Sequence, residues 1–434
     1  MTALNARLSR TLVAGALAAA TLTACGQKSP EAQLDGFAHR YVEQAMHLDR
    51  LRPGEVDLYF GPQRLDTRGQ PAEHSLEEMR AVVMALSADL AAFQREVQAG
   101  LQADRARRLG ARVDHLGTVV AFLGGDPALT YPEQARALYG VAWLEGETPE
   151  TQSARERLES NLPGRGSLRA RVAGLRQRLV VPAERRRQVF EKAFAECRSR
   201  TREHWSLPSD ESVDITYTRD IRAARHSYAG GGRSALLINP LAIATVDQAV
   251  DVACHEGYPG HHAQLVLFEA AAGEKGLELE DRIALLRSPL SAFREGAAVA
   301  GVDIVFPPSE RLAFERDVLY PIAGLDPKLA ERHNLIREDL ARQALAVPAI
   351  IRDHEDRQLS DAEAINQLQS EALVASPRAL FAFAHDVGAY LAGYTLIDAA
   401  LTARVQTLTP AETWLQLRRW LEKPGRWLDS PKES

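Results

Sequence analysis

The chain has 434 residues, of which 45% are hydrophobic and 25% are charged. This composition is typical of a globular protein with a buried core, and the length predicts two or three domains. The formal net charge is −6, so there is no basic excess that would indicate a nucleic-acid partner.

The N-terminus carries the pattern of a bacterial export signal. Two arginines precede a short apolar run at 12–22, which is too short to span a bilayer. The sequence Leu-Thr-Ala-Cys at 22–25 resembles the lipobox of bacterial lipoproteins. The resemblance implies that residues 1–24 are a signal peptide and that Cys25 is lipidated. Gly26 follows instead of aspartate, so we expect a periplasmic lipoprotein anchored in the outer membrane.

Two further cysteines and a polar segment complete the expectations for the processed protein. Residues 25–35 are predicted to form a lipidated tether. Cys197 and Cys254 would be able to pair in an oxidising compartment. Cys254, however, lies in an apolar segment, and we predict a small buried core residue there.

The rest of the chain is predicted to be mainly α-helical. Apolar residues three or four positions apart indicate an N-terminal helical region at 36–205. A catalytic region is predicted at 206–434. It begins with strand-like runs around a glycine-rich turn, which predict a β-hairpin or small sheet at 213–240, just before a helix at 245–256. Later helices include a long one at 376–403 and another that opens on the capping box of Thr409-Pro410-Ala411-Glu412.

The most informative segment is His-Glu-Gly-Tyr-Pro-Gly-His-His at 255–262. It places three imidazoles and a carboxylate close together after an apolar helix. Neutral imidazoles bind Zn²⁺, and a nearby glutamate takes a proton from the metal-activated water in zinc hydrolases. We therefore predict that His255 binds Zn²⁺ and that Glu256 is the general base.

The spacing departs from the H-E-x-x-H motif, whose two histidines share one helical face. Pro259 stands where the second histidine would be, and a proline inside a helix costs about 3 kcal/mol. On an unbroken helix His261 would face away from His255. The zinc site therefore requires a kink at 258–260, which would bring either His261 or His262 to the first histidine.

A catalytic zinc ion needs a third protein ligand beside an open position. The best candidate is Glu295, because it lies among small and apolar residues at 291–298, where an isolated carboxylate would be costly. Three other acidic residues are available, but they lie in a charged run and are expected to be solvated: Glu278, Glu280 and Asp281.

The segment 255–264 resembles the H-E-x-x-P-G-H-H-x-Q signature of the bacterial domain of unknown function 885 family. The resemblance, which covers roughly 210–400, implies a helical, zincin-like metallopeptidase body with a bound zinc ion. Phe-Arg-Glu-Gly at 293–296 is similar to the family's Glu-Gly-Trp segment, which implies that Glu295 is the third ligand. The segment 388–394 resembles a late Ala-Tyr-x-x-Gly motif, in which a tyrosine approaches the site.

Together these patterns predict a zinc-dependent peptidase. The predicted zinc ligands are His255, His261 and Glu295, and the predicted catalytic residues are Glu256 and Tyr390. Tyr390 would donate a hydrogen bond to the developing oxyanion, with Tyr394 and His226 as alternatives.

Two supporting roles follow from position in the sequence. Asp251 lies one helical turn before the first histidine of the motif and is a candidate to orient that ring. The strand at 234–239 would bind an extended peptide if it is an edge strand, and it is otherwise an internal strand.

The predicted substrate is a peptide. The same residues would also suit another metal-dependent amide or ester hydrolase of the cell envelope. A third alternative is a non-catalytic binding lipoprotein that retains the fold. A serine hydrolase is disfavoured, because the sequence contains no G-x-S-x-G nucleophile elbow.

Overall fold

The computed structural model describes residues 28–126, 128–141, 149–391 and 393–425. The described chain is mainly α-helical with two small sheets, which confirms the predicted fold class. The predicted signal peptide at 1–24 and the predicted lipidation site, Cys25, lie outside the described residues.

Seven helices precede the larger sheet in the described chain: α1 (Pro30–Leu51), α2 (Leu76–Glu96), α3 (Gly100–Leu123), α4 (Tyr131–Tyr139), α5 (Pro149–Asn161), α6 (Leu168–Arg178) and α7 (Arg186–His204). Helix α1 corrects the predicted tether, because residues 30–35 are helical rather than extended. The Ser29 side chain caps this helix by accepting a hydrogen bond from the Ala32 N–H at 3.2 Å. Leu34 is only 1% exposed, so burial of an apolar face holds this segment in place.

The strands form one two-stranded and one three-stranded sheet. Strand β1 (Val56–Tyr59) pairs antiparallel with the late strand β5 (Ile283–Leu285). The larger sheet contains β2 (Ser212–Tyr217), β3 (Ala224–Gly230) and β4 (Arg233–Ile238) in the order β2-β4-β3. Strand β4 is parallel to β2 and antiparallel to β3. The predicted small sheet is confirmed. The segment predicted at 234–239 lies in the central strand β4 rather than at an edge, and β2 and β3 are the two outer strands.

Eleven helices follow that sheet in the described chain: α8 (Val246–Glu256), α9 (His261–Ala270), α10 (Pro289–Val305), α11 (Pro308–Phe314), α12 (Tyr320–Ala323), α13 (Lys328–Ala344), α14 (Val347–Glu355), α15 (Asp361–Ser370), α16 (Pro377–Val387), α17 (Asp398–Val405) and α18 (Pro410–Glu422). The predicted capping box of α18 is confirmed, because Thr409 and Glu412 exchange side-chain to backbone hydrogen bonds. Short 3₁₀ turns lie at Gln63–Leu65, Ala183–Arg185, Gly273–Lys275, Leu279–Arg282 and Gly388–Tyr390, and π-helical turns at Glu315–Leu319 and Gly393–Ile397.

The helix predicted at 376–403 is broken. Helices α16 and α17 are separated by the 3₁₀ and π turns, and the backbone of Gly388 has a φ of 59°, a value that favours glycine. Among the described residues, no single helix is long and apolar enough to cross a bilayer. The segments Pro377–Tyr390 and Gly393–Val405 pass that test only as a pair, which bends by 77°.

The buried side chains of both predicted regions belong to one hydrophobic core, which runs from Leu34 to Leu421. Within it, Cys197 of α7 and Cys254 of α8 form a disulfide, with an S–S distance of 2.08 Å. Both cysteines are 0% exposed. The buried position predicted for Cys254 is confirmed, and the pairing that the sequence left open is formed. The bond ties α7 to the helix that leads into the His-Glu motif.

Candidate metal centre

The predicted kink separates α8 from α9. Helix α8 ends at Glu256 and α9 begins at His261, with a cis peptide bond between Tyr258 and Pro259. The chain folds back so closely that a Cβ atom at Gly260 would stand 1.7 Å from the carbonyl oxygen of His255. Only glycine fits there, and its N–H donates to the carbonyl of Cys254 at 3.0 Å. The local sequence thus ends one helix and starts the next within four residues.

This corner separates the two consecutive histidines. The ring of His261 packs edge-on against that of His255, with ring centroids 4.7 Å apart. The ring of His262 is 0% exposed and contacts other partners. Of the two alternatives that the sequence leaves open, His261 is the one beside His255.

His255 and His261 meet Glu295 of α10. The carboxylate oxygens of Glu295 lie 3.2 Å from Nε2 of His255 and 3.4 Å from Nε2 of His261. The three candidate ligand atoms all lie within 4.8 Å of one another. Bonds of about 2.0–2.1 Å in a tetrahedral zinc site would place neighbouring ligand atoms about 3.3 Å apart. We call His255, His261 and Glu295 the metal cluster.

A buried oxygen without a partner supports the fit to a cation. Oε2 of Glu295 is buried and accepts no hydrogen bond from the described residues, although Nε2 of His255 lies 3.2 Å away. A buried carboxylate oxygen normally accepts a hydrogen bond or binds a metal ion, because its desolvation is otherwise uncompensated. Two imidazoles and a carboxylate also form a donor set that Zn²⁺ accepts. The side chains therefore fit a zinc ion.

The electrostatics of the cluster favour positive charge at its centre. Burial raises the pKa of Glu295, but His261 and His255 outweigh this effect and hold that pKa well below its usual range. Burial lowers the pKa of His261, but the negative charges of Glu295 and Glu256 overcome it and raise that pKa to about 9. Burial also raises the pKa of Glu256, although both histidines oppose the rise. A raised pKa suits a group that must accept and return a proton.

A chain of hydrogen bonds holds Glu295 from behind. The hydroxyl of Tyr390 donates to Oε1 of Glu295 at 2.8 Å and lies 3.1 Å from Oγ of Ser291. Ser291 in turn donates to Asp57 of β1 at 2.7 Å. Tyr390 is only 3% exposed and does not line the cavities beside the cluster. Its place is thus that of a positioning residue, which differs from the predicted oxyanion donor.

Tyr394, the first alternative, lies beside His255 and lines both of the cavities beside the cluster. Its ring stacks on that of His255, with an interplanar angle of 10° and ring centroids 6.0 Å apart. Burial and the charge of Glu295 raise the pKa of Tyr394 well above its usual value, so the hydroxyl keeps its proton. The backbone can approach α10 closely because position 393 is glycine, where a Cβ would lie 3.0 Å from the carbonyl oxygen of Ala292.

Two cavities meet at the cluster. The strand-side cavity, of about 410 Å³, is lined by residues of β1, β3 and α10 and contains His226, the second alternative donor. The helix-side cavity, of about 890 Å³, lies among α6, α8, α10 and α13. His255, Glu256 and Tyr394 line both. Both volumes are in the range of ligand sites, so the candidate base and metal ligands face space that a substrate can fill.

A second set of polar side chains connects α9 to the larger sheet, and its hydrogen bonds were not predicted from the sequence. Nε2 of His262 lies 2.9 Å from Glu211, and its Nδ1 lies 2.7 Å from Oγ of Ser234. Ser234 continues to Nε2 of His226 at 2.8 Å. We call these residues, with Tyr258 that donates to Glu211, the Glu211 network. Glu211 is 51 positions from His262 in sequence, so no local motif could have indicated the pair.

Arginines complete this network. Arg198 and Arg202 both form ion pairs with Oε1 of Glu211, whose side chain is 0% exposed. Burial raises the pKa of Glu211, but hydrogen bonds from His262, Tyr258 and the arginines outweigh it and hold the pKa well below its usual range. Glu211 is therefore an ionised and fully paired buried carboxylate.

Two other expectations are corrected. Asp251 pairs with Arg311 at 2.8 Å, so it is not placed as the partner of His255. The three acidic residues at 278–281 lie outside the metal cluster but are not simply solvated. Glu280 is 3% exposed and pairs with Arg105 at 2.8 Å. Glu280 thus pairs with an arginine, whereas the ion-pair partners of Glu295 among the described residues are the two histidines of the metal cluster.

Comparisons with known proteins give little further information. No protein-family model matches the chain, and no curated protein is significantly similar to it in sequence. The resemblance to the domain of unknown function 885 family therefore remains a prediction from the motif.

Two solved structures are similar in part. One is a "putative lipoprotein" from Colwellia psychrerythraea, with 15% identity and a TM-score of 0.44 over 83% of this chain and 65% of that chain. The other is a "putative lipoprotein of unknown function" from Shewanella oneidensis, with 14% identity and a TM-score of 0.39 over 81% of this chain and 74% of that chain. This chain thus spans less than two thirds of the Colwellia protein, and similarities of this size transfer no activity.

Proposed function

We propose that this protein is a zinc-dependent peptidase. The observation that carries the proposal is the metal cluster, in which a buried Glu295 oxygen without a hydrogen-bond partner lies 3.2 Å from the Nε2 atom of His255. Glu256 lies beside this cluster and lines both cavities. Three ligands, an adjacent base and open space are the components of a catalytic rather than a closed structural zinc site.

The side chains have separate roles in this proposal. When bound, Zn²⁺ would polarise the scissile carbonyl and acidify water. Glu256 takes the proton of the attacking water and returns it to the leaving amine. Tyr394 donates its hydroxyl hydrogen to the developing oxyanion. Tyr390 holds the carboxylate of Glu295 in place through its 2.8 Å hydrogen bond.

Strand β3 offers a binding surface for an extended peptide. It is one of the two outer strands of the β2-β4-β3 sheet, and it is the one whose residues, 224–228, line the strand-side cavity. An outer strand can pair with a substrate backbone through main-chain hydrogen bonds. A peptide paired with β3 would run through the strand-side cavity, which His261 and Glu256 also line. The binding role first predicted for 234–239 thus moves to the neighbouring strand.

We also propose that the protein works in the periplasm as a lipoprotein anchored in the outer membrane through Cys25. The lipobox-like sequence at 22–25 supports the anchor. The disulfide between Cys197 and Cys254 supports an oxidising compartment, because such bonds are rare where thiols are kept reduced.

The first test is the substitution Glu256→Gln, which keeps the shape of the side chain but removes its basicity. We expect zinc stoichiometry to remain at one per chain, because Glu256 is not a proposed ligand. Peptide hydrolysis should fall by about 10²–10⁴-fold, the usual contribution of a general base. Elemental analysis and hydrolysis of a mixed library of fluorogenic peptides measure the two quantities.

Glu77→Gln, on the exposed face of α2, is the matched control and should change neither quantity. Unchanged turnover in Glu256→Gln would contradict the assigned base. Hydrolysis of esters or peptidoglycan fragments in preference to peptides, with the same dependence on Glu256, would instead identify one of the other envelope hydrolases.

A further inference from the structure

An arginine without a partner lies beside the metal cluster. Arg294 precedes Glu295 on α10 and is only 7% exposed. Its Nη1 and Nη2 atoms are buried, and neither has a hydrogen-bond partner among the described residues. Of the carboxylates that the structure describes, none lies within 4.0 Å of the guanidinium nitrogens. The two other buried arginines of the described residues, Arg105 and Arg311, each pair with a carboxylate.

This arrangement is costly unless a ligand completes it. A buried charge loses its hydration, and the loss is compensated only when ion pairs and hydrogen bonds replace the water. A guanidinium group stays charged at neutral pH, so Arg294 carries a positive charge in this buried position. Phe268 lies 5.5 Å from the guanidinium carbon, but a ring face does not satisfy the outer N–H groups.

The surroundings of Arg294 suit an anion. Arg294 lines the strand-side cavity, whose wall carries three carboxylates and three guanidinium groups, those of Asp57, Glu256, Glu295, Arg68, Arg225 and Arg294. These six charges cancel, so a divalent cation in the metal cluster would give the cavity wall a positive net charge. An anionic part of a substrate would therefore be attracted into this cavity, which Arg294 lines.

We propose that Arg294 binds a carboxylate of the substrate inside the strand-side cavity. The guanidinium fork matches a carboxylate in two parallel hydrogen bonds, which Lys cannot reproduce. The proposed substrates are therefore peptides with a carboxylate close to the scissile bond. This group is either the C-terminal carboxylate or an acidic side chain. This inference rests on the proposed peptidase function, because it takes the cavity beside the metal cluster as the substrate site.

The test measures binding without hydrolysis, in the Glu256→Gln background with zinc supplied. Calorimetry compares three probes: acetyl-tetraalanine with a free carboxylate, its carboxamide, and the carboxamide with one alanine replaced by glutamate. We expect at least one carboxylate probe to bind about 10-fold or more tightly than the neutral carboxamide, as hydrogen bonds to charged groups allow. The probe that binds more tightly than the carboxamide shows whether Arg294 binds a C-terminal carboxylate or an acidic side chain.

Substitutions at Arg294 and at a second arginine of the same cavity show which side chain causes the preference for the carboxylate probe. Arg294→Gln should remove the preference for the carboxylate, and Arg294→Lys should retain part of it. Arg225→Gln removes an exposed arginine of β3 and should change the preference by less than about 3-fold, because exposed charges contribute little. Circular dichroism establishes whether each variant is folded.

Equal affinity for all three probes, or no binding of any, would overturn the proposal even if Arg294→Gln does not fold. An equal loss in Arg225→Gln would also overturn it, since general attraction would then explain the preference. Failure of the peptidase proposal is separate, because it would appear as absent zinc or as absent turnover in the unsubstituted protein.

Discussion

The metal cluster and the Glu211 network contain the same kinds of side chain, yet they are built in opposite ways. Each combines two histidines with a buried glutamate, and consecutive residues, His261 and His262, belong to different groups. In the network, both ring nitrogens of His262 have hydrogen-bond partners and the side chain is 0% exposed. In the cluster, an oxygen of Glu295 lacks such a partner, and the side chains of His255 and His261 are 16% and 15% exposed.

The difference teaches how a structural histidine is distinguished from a candidate ligand. A buried polar group that stabilises the fold is satisfied by protein atoms, whereas a binding group keeps part of its capacity for the ligand. The Glu211 network meets the first description. The metal cluster meets the second, because its donors surround a common point beside two cavities.

The sharpest test of this comparison substitutes the two consecutive histidines. His261→Ala should lower zinc affinity by more than the about 10–100-fold that loss of an outer hydrogen-bond partner costs, because it removes a ligand. His262→Ala should keep zinc and instead lower the free energy of unfolding by about 1–3 kcal/mol, since Glu211 loses a buried donor. Elemental analysis after dialysis and urea denaturation provide the two measurements. Stoichiometric zinc in folded His261→Ala protein, or zinc loss in folded His262→Ala protein, would reverse the assignment.

Substitution of Glu211 should lower the free energy of unfolding without changing zinc binding. Glu211→Ala is expected to lower the free energy of unfolding by about 3 kcal/mol, because it leaves His262 and the arginines without their carboxylate. Zinc stoichiometry should not change. The exposed Glu77→Ala on α2 serves as the control and should change stability by less than about 0.5 kcal/mol. Zinc loss in a folded Glu211→Ala protein would show that the two groups are not separate.

The same carboxylate predicts a pH dependence. Against the opposing effect of burial, the folded-state pKa of Glu211 is held below the ordinary value of a glutamate, mainly by hydrogen bonds from His262 and Tyr258, so the unfolded chain binds its proton first as the pH falls. The stabilisation is therefore present above about pH 4.5 and is lost progressively below it. Glu211→Gln should consequently lose less stability than the unsubstituted protein between about pH 5 and pH 3. If the free energy of unfolding depends on pH in the same way in both proteins, Glu211 is not the group responsible.

The two tyrosines beside Glu295 should differ in a smaller way. Tyr394→Phe removes the proposed oxyanion donor and should lower kcat by about 10²-fold at saturating zinc. Tyr390→Phe removes a hydrogen bond to a ligand and should weaken zinc binding by about 10–100-fold, with kcat nearly restored by excess zinc. Zinc titrations of activity separate the two effects. Identical responses in both variants would mean that the tyrosines do not divide these roles.

Much of the site could be predicted because its signal is local. The apolar run before His255, the Pro-Gly interruption and the small sheet all depend on neighbours in sequence, and each lies where it was predicted. The choice between His261 and His262 could not be made, because it depends on the close approach of Gly260 to the His255 carbonyl. The partner of a side chain across the fold is likewise not encoded locally.

The errors have the same origin. Residues 30–35 are polar enough to resemble a tether, but the burial of Leu34 makes them part of α1. The break between α16 and α17 contains Gly388 with its positive φ and the close approach of Gly393 to α10, and no periodicity reveals either. The isolation of Arg294 is visible only when the side chains around it are known to be elsewhere.

The most direct measurement is a crystal structure of the zinc-soaked protein with anomalous diffraction recorded at the zinc edge. The account predicts one strong peak about 2.0–2.2 Å from Nε2 of His255, Nε2 of His261 and a carboxylate oxygen of Glu295. A peak at His262 and Glu211, or no ordered zinc among the three proposed ligands, would contradict it.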